Sequence, residues 1–428
     1  VKILVWSKFG DSLSLARLMK EKDGNDVRLY IDAEMNKQVG DGIVEKIGDW
    51  QEYVDWADMI TCDDENQGEW VEQLEDDGKV VFGTNRFGGM LENDRKYASQ
   101  IMEQLGIQTI PHWEFDTLDQ TIQFIKDNPE RYVFKPMGQH PRYFTKVGDM
   151  VNGQDLIWFI KWLKKVWQGG QANQLQLYIE GVEVGLCAMF SRNHFVKPYE
   201  LNFEHKHLRT YGQGSNIGEA GTLQLFVNES RIFDEMLKPF EKWLTKTNYC
   251  GQFDMNCKVN ENGIYPMELT NRLGIPATYG YNEALNIRWT DFFYQCAKGQ
   301  LKDDFATVGR FIVIVKLDVE PCPDMKQESI YNVPTDIPVI FDFDPLGVDA
   351  GFFEGDLRKD KDTNQYYLTG KQGHIGVVIG SATELAKAQD LVYKTISKIY
   401  TPFEVIFNPE IGDKYTFVED FLKRSKII

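Results

Sequence analysis

The sequence predicts a multidomain protein of mixed class: an α/β unit built on a parallel sheet at the N-terminus, an α+β body, and a small C-terminal α+β unit. Three observations lead there. Over residues 1–90, short apolar runs alternate with helix-spaced segments, the pattern of successive βαβ units. Over residues 251–274, GQFDMNCKVNENGIYPMELTNRLG, the apolar spacing drops to two and breaks at Glu261-Asn262-Gly263, as in an antiparallel hairpin. From residue 310 onward, short β-rich runs accompany one amphipathic helix.

The chain of 428 residues has room for about two to four domains. With 42% hydrophobic and 26% charged residues it has ordinary globular composition. The balance of 47 basic against 65 acidic residues, net −18, argues against an extended nucleic-acid or anionic-membrane surface. No apolar run approaches the ~18 residues of a membrane span, and no signal-like segment precedes Lys2. A cytoplasmic protein without a membrane partner is therefore expected. The cysteines at 62, 187, 250, 257, 296 and 322 show no C-x-x-C pair and read as reduced structural thiols.

In chain order, a strand at 3–6 leads through Phe9-Gly10-Asp11-Ser12, a turn with an N-cap, into a helix at 13–21. Strands follow at 26–31, 57–62 and 79–83, with Asp63-Asp64-Glu65 after the third and a helix around 70–74. No G-x-G-x-x-G follows the first strand. Ligands of such sheets sit at strand carboxyl ends, so the acidic run reads either as a contact for a polar substrate or as a solvated loop. A charged helix at 93–105 carries Arg95 and Lys96. After a helix at 118–128, the run Tyr132-Val133-Phe134-Lys135-Pro136 ends a strand in a lysine. Either a phosphate-binding amine or a snorkelling surface lysine stands there. The loop GQHPRYFTKVGD at 138–149 is placed to close over phosphates. A Trp- and Lys-rich helix at 153–167, read as packing, precedes a strand at 174–179.

In the hairpin, Glu268 ends an apolar run and is followed by Thr270, Asn271 and Arg272. Mg²⁺ takes one or two carboxylates and completes its octahedron with phosphate oxygens. Glu268 with Thr270 or Asn271 suits that role, and Arg272 suits phosphate charge; a solvated hairpin end is the plain alternative. A helix at 283–298 carries the core aromatics Trp289, Phe292 and Phe293, and 301–308 reads as a linker.

Taken together, the helix with Lys96, Gly106-Ile107-Gln108-Thr109, the strand ending Lys135-Pro136-Met137-Gly138, Gly181-Val182-Glu183 and the hairpin with Glu268 resemble the ATP-grasp superfamily. Within it, the chain is similar to the glycinamide ribonucleotide synthetases (phosphoribosylamine–glycine ligases). Glu204-His205-Lys206 matches their D-H-K, and Gly214-Ser215-Asn216-Ile217-Gly218-Glu219-Ala220-Gly221 their G-P-N-T-G-G-M-G. Arg272-Leu273-Gly274-Ile275-Pro276 resembles R-F-G-D-P, and the run from Tyr366 through Gly373-His374-Ile375-Gly376 to Tyr393 resembles their last domain.

The resemblance implies an ATP-grasp fold with an N-terminal Rossmann-like domain (1–90), a grasp domain (91–305, lid about 118–185) and a C-terminal α+β domain (306–428). It implies ATP and Mg²⁺ as cofactors, with Lys135, helped by Arg95 or Lys96, on phosphates. Gln176 to Ile179 would hold adenine, Glu183 the ribose, and Lys206 would join the nucleotide site. Glu268 with Thr270 or Asn271 would hold the metal, and Arg272, Asn216 and Gly218 would line the acceptor region. The implied activity is amide formation through an acyl phosphate, joining glycine to phosphoribosylamine in purine biosynthesis. The chain departs from the family at the phosphate loop, at E-x-N (Glu268-Leu269-Thr270), at G-D-P-E (Gly274-Ile275-Pro276-Ala277) and in lacking G-G-R-E-H. These departures keep open a different acceptor amine, such as a modified base or amino acid, or a nucleotide-binding regulatory protein without turnover.

Overall fold

The computed structural model describes residues 1–137, 144–167, 169–213, 216–303, 305, 311–319, 336–347, 351–370 and 373–428. At the N-terminus four parallel strands run in the order Asp26–Ile31, Lys2–Ser7, Met59–Cys62, Val81–Phe82. Ile3, Leu4 and Val5 are all fully buried, because a parallel sheet is covered on both faces and its strands need no polar side.

The hairpin forms as Cys250–Asn260 and Gly263–Thr270, with Asn256 opposite Glu268 and Asp254 opposite Thr270. The register shifts once, between Asn256 and Cys257, so Met267 is an extra residue. This hairpin is one edge of a nine-stranded sheet. Val182–Ser191, Phe195–His207, Asn216–Val227, Phe311–Val319, His374–Ala382 and Phe352–Glu354 follow in order, with Val405–Ile406 joined to Phe311–Val319. The C-terminal segment thus shares the central sheet rather than only covering it. Phe311–Val319 is buried along nearly its whole length and pairs on both sides, so it sits in the sheet interior.

The lid is a separate sheet, ordered His112–Phe115, Asn173–Leu177, Tyr132–Pro136, Lys146–Val147. Helices Leu118–Asp127 and Gln154–Val166 enclose with it their own core of Ile125, Phe134, Leu156, Ile160 and Leu175. Trp158 and Trp162 of the second helix are 58% and 47% exposed rather than packed. The helix expected at 93–105 forms as Arg95–Gln104, and a second helix, Arg86–Asn93, precedes it. Asp94 separates the two and caps Arg95–Gln104, accepting from the Lys96 and Tyr97 amides. The helix expected at 283–298 divides at Asn286, in the left-handed region (φ 45°); Trp289, Phe292 and Phe293 are core. The five described cysteines are free and buried; Cys322 lies outside the described residues. Among the described residues no helix is long and apolar enough to cross a membrane.

Candidate active site

Strand register builds one side of the site. Asn202 lies opposite Gly185, Gly185 opposite Asn256, and Asn256 opposite Glu268; Glu183 lies opposite Lys258. Alternation then projects Glu183, Glu204, Asn256 and Glu268 from one face of the central sheet. Lys206 Nζ stands among their carboxylates, 3.0 Å from Glu183 Oε1, 3.1 Å from Glu268 Oε1 and 3.6 Å from Glu204 Oε2. Lys258 holds the other oxygen of Glu183 at 3.2 Å. Asn256 Nδ2 donates to Glu204 Oε1 at 3.3 Å and Glu268 Oε1 at 3.4 Å. Burial opposes the charge on Lys206, but Glu268, Glu204 and Glu183 outweigh it and raise its pKa. Lys206 in turn holds the Glu268 carboxyl down to about 2.

The lid sheet supplies one facing cation, Lys135, and helix Arg95–Gln104 the other, Arg95. Lys135 is half-buried between Phe134 and Pro136, both buried. Burial lowers its pKa to about 8, helped by repulsion from Arg95 and Lys206 and opposed by Glu268. Arg95 Nη1 donates to the Pro136 carbonyl at 3.3 Å; burial lowers its pKa, with Glu268 opposing. Lys135, Arg95, Lys206 and Glu268 therefore lie within electrostatic reach of one another, between the lid sheet and the central sheet.

Other expected residues fall elsewhere. Lys96 points out and pairs with Glu114 at 3.5 Å, so Arg95 and not Lys96 turns toward Pro136 and Lys135. Gln176 is inside the lid sheet, between His112 and Val133. Its strand ends at Leu177, which leaves Ile179 in the connection to the central sheet rather than in the strand. Thr270 stays on the face of Glu268, opposite Asp254. Asn271 alternates away from it and is fully buried, its Nδ2 donating to the Gly88 carbonyl at 3.0 Å and its amide to Glu92 at 2.8 Å. The bulge precedes Glu268 and does not turn Asn271 inward. Arg272 reaches the N-terminal domain, its Nε 3.0 Å from Glu65 and 3.2 Å from Glu92. The backbone of Asn216 opens its strand opposite His207; its side chain, with Gly214, Ser215, His140 and the rest of 138–143, lies outside the described residues. His205 is buried and accepts from the Gly412 amide at 3.2 Å.

Asn256 was not among the expected ligands, although it stands in the polar alternation of 254, 256 and 258. Its Oδ1 is buried with no hydrogen-bond partner. That oxygen, with Glu268 and Glu204, forms a set of hard donors fitted to Mg²⁺, while Lys135 and Arg95 are fitted to phosphate oxygens.

At the N-terminal mouth the turn after the first strand is closed on a carboxylate. Asp63 accepts from the Lys8 amide at 2.9 Å, from Ser12 Oγ at 2.7 Å and from Ser7 Oγ. Ser7 Oγ accepts from the amides of Gly10 and Ser12.

The two facing sheets give the chain an ATP-grasp fold. The chain superposes on a phosphoribosylamine–glycine ligase from Thermotoga maritima with a TM-score of 0.72 at 17% identity, covering 96% of this chain and all of that one. It superposes on the biotin carboxylase domain of Hydrogenobacter thermophilus 2-oxoglutarate carboxylase, crystallised with MgADP, with a TM-score of 0.65 at 13% identity, over 97% and 98% of the chains. Within this class, the chain resembles the phosphoribosylamine–glycine ligases in sequence as well. It is 20% identical to that of Fusobacterium nucleatum over 360 residues, 82% of each chain. No protein-family model matches it.

Proposed function

We propose that the protein is an ATP-dependent carboxylate–amine ligase. The observation that carries this reading is the opposition, across one cleft, of Lys135 and Arg95 to Glu268, Glu204 and Asn256. A carboxylate oxygen of the first substrate attacks the γ-phosphorus of ATP, the bond to the β-phosphate oxygen breaks, and ADP leaves. The amine nitrogen then attacks the acyl carbon, phosphate departs, and the amine's proton leaves with it, so amide, ADP and phosphate are the products. Lys135 and Arg95 neutralise the transferred phosphoryl group. Glu268, Glu204 and Asn256 would hold Mg²⁺, which supplies charge neutralisation on the phosphates. Gln176 to Ile179 would lie along the adenine and Glu183 near the ribose, with Arg272 and Asn216 on the acceptor side.

Glycine and phosphoribosylamine are the first pair to assay, since the relatives carry that name. A different amine is the second reading, favoured by the closure of the first turn on Asp63. ADP release with glycine and phosphoribosylamine, then with an amine panel, separates the two. ATP binding without ADP from any acceptor would instead mark a regulatory protein.

A pH dependence follows from Lys135. Its free-enzyme pKa lies near 8, so its positive charge is present below that pH and lost above it. The Kd for ATP should therefore be flat between pH 6.5 and 7.5 and weaken by up to about tenfold per pH unit above 8, measured by calorimetric titration. A flat profile to pH 9.5 would exclude Lys135 as the phosphate cation.

A further inference from the structure

The acceptor side of the cleft is lined by carboxyl and amide groups, whereas the nucleotide side also carries Lys135, Arg95 and Lys206. Beyond the cluster at Lys206, the central sheet presents Glu200, Asn202, Gln224 and Asp254, all at least nine-tenths buried. Glu200 accepts from Gln224 at 2.7 Å and Asn202 at 3.2 Å. Glu200 Oε2, Asn202 Oδ1, Gln224 Oε1 and Glu219 Oε1 remain buried without a hydrogen-bond partner. Asn202 Oδ1 points at Gly185, where a Cβ would come within 2.0 Å of it and 2.7 Å of Asn256 Oδ1. Apart from one donor, Gln252 Nε2 two residues before Asp254, the orphans here are oxygens, and buried acceptors left unpaired are costly. They call for a ligand rich in N–H donors.

The charges continue to the mouth. Burial first, then repulsion from Glu204 and Glu200, pushes the Glu219 pKa well up, and burial with repulsion from those two, Glu219 and Glu268 does the same to Asp254, so a cation placed among them would be met by carboxyls that gain by ionising. Asp356 and Asp63 both feel Asp11. The cations nearby have partners: Arg272 is held by Glu65 and Glu92, and Lys316 lies 3.8 Å from Asp318.

The phosphate-cradle position after the first strand of the N-terminal domain is already filled. A helix N-terminus after a parallel strand offers amides and a favourable dipole to an anion. Before helix Leu13–Glu21, the amide of Lys8 and the hydroxyls of Ser7 and Ser12 are spent on the Asp63 carboxylate. Asp63 supplies the anion internally, and Asp11, exposed beside it, would repel a second one.

We propose that the amine this ligase accepts bears a second positive charge and no phosphate, a small diamine or polyamine, held between the floor at Glu200, Asn202 and Asp254 and the carboxylates Glu219 and Asp11. The proposal rests on the carboxylate–amine ligase reading. One nitrogen of the diamine is neutral and attacks the acyl phosphate, losing its proton as above. The other stays cationic and fixes the register of the chain among the carboxylates.

The test uses the full chain with ATP, Mg²⁺, a panel of amino-acid carboxylates, and putrescine, spermidine or phosphoribosylamine as acceptor. ADP release should be at least about tenfold faster with a diamine than with phosphoribosylamine. Glu219→Gln and Asp254→Asn should each raise the putrescine KM by about tenfold or more while the ATP KM moves less than about twofold. Faster turnover with phosphoribosylamine overturns the inference and leaves the ligase reading standing. Equilibrium dialysis of labelled putrescine separates the two failures. Binding lost in both variants, without ADP from any acceptor, retains the cation site and removes the ligase. Putrescine binding that is absent, or unchanged in both variants, removes the site.

Discussion

Alanine at position 135 is expected to lower kcat for ADP release by about 10²–10³-fold, the range seen when one preorganised electrostatic contact to a transition state is removed. Lys135 ends a strand whose neighbours Phe134 and Pro136 are buried, so the lid presents its amine at a set place. It is half-buried there, and its pKa is already drawn down to about 8 by burial and by Arg95 and Lys206. A phosphoryl group arriving between it and Arg95 relieves that repulsion, so the contact strengthens as negative charge builds. The loss should appear in kcat more than in the KM for the carboxylate, measured by steady-state kinetics with the fold checked by circular dichroism. A loss below about threefold would place the phosphate elsewhere.

Glu268→Ala should be comparably severe, again about 10²–10³ in kcat, with no rescue by raised Mg²⁺. The fold should hold, because Lys206 keeps Glu183 and Glu204 as partners. Asn271→Ala is the informative contrast. Its side chain faces the Gly88 carbonyl and not Glu268, so kcat should change by less than about threefold while the fold loses about 1–3 kcal/mol from the unpaired buried carbonyl. Denaturant titration and Mg²⁺-dependence of ADP release read the two effects separately. If Asn271→Ala instead behaved like Glu268→Ala, the metal side would have to be redrawn around Asn271.

Much of this architecture was legible in the residues. The βαβ run, the hairpin, the strand ending in Lys135 and the carboxylate at Glu268 each follow from local periodicity, which the backbone obeys wherever one face is buried. The choice between Arg95 and Lys96 was not legible, since both lie in the first turn of one helix and only its docking against Pro136 decides which turns inward. Nor was the choice between Thr270 and Asn271, which depended on where the bulge fell relative to Glu268. Asn256 stayed an ordinary polar residue, and Glu204 and Asp63 members of short motifs without assigned partners, until register and packing set them beside groups far away in the chain.

The sequence by itself determined the elements, their order and the chemical types available: a lysine-ended strand, an acid-ended hairpin, and an excess of carboxylates. The tertiary structure alone decided which of those groups share a cleft and which charge each side of it carries. The physical reason is that periodicity is a property of neighbours along the chain, whereas electrostatic fields and hydrogen-bond satisfaction belong to groups brought together only when separate strands pair and sheets pack.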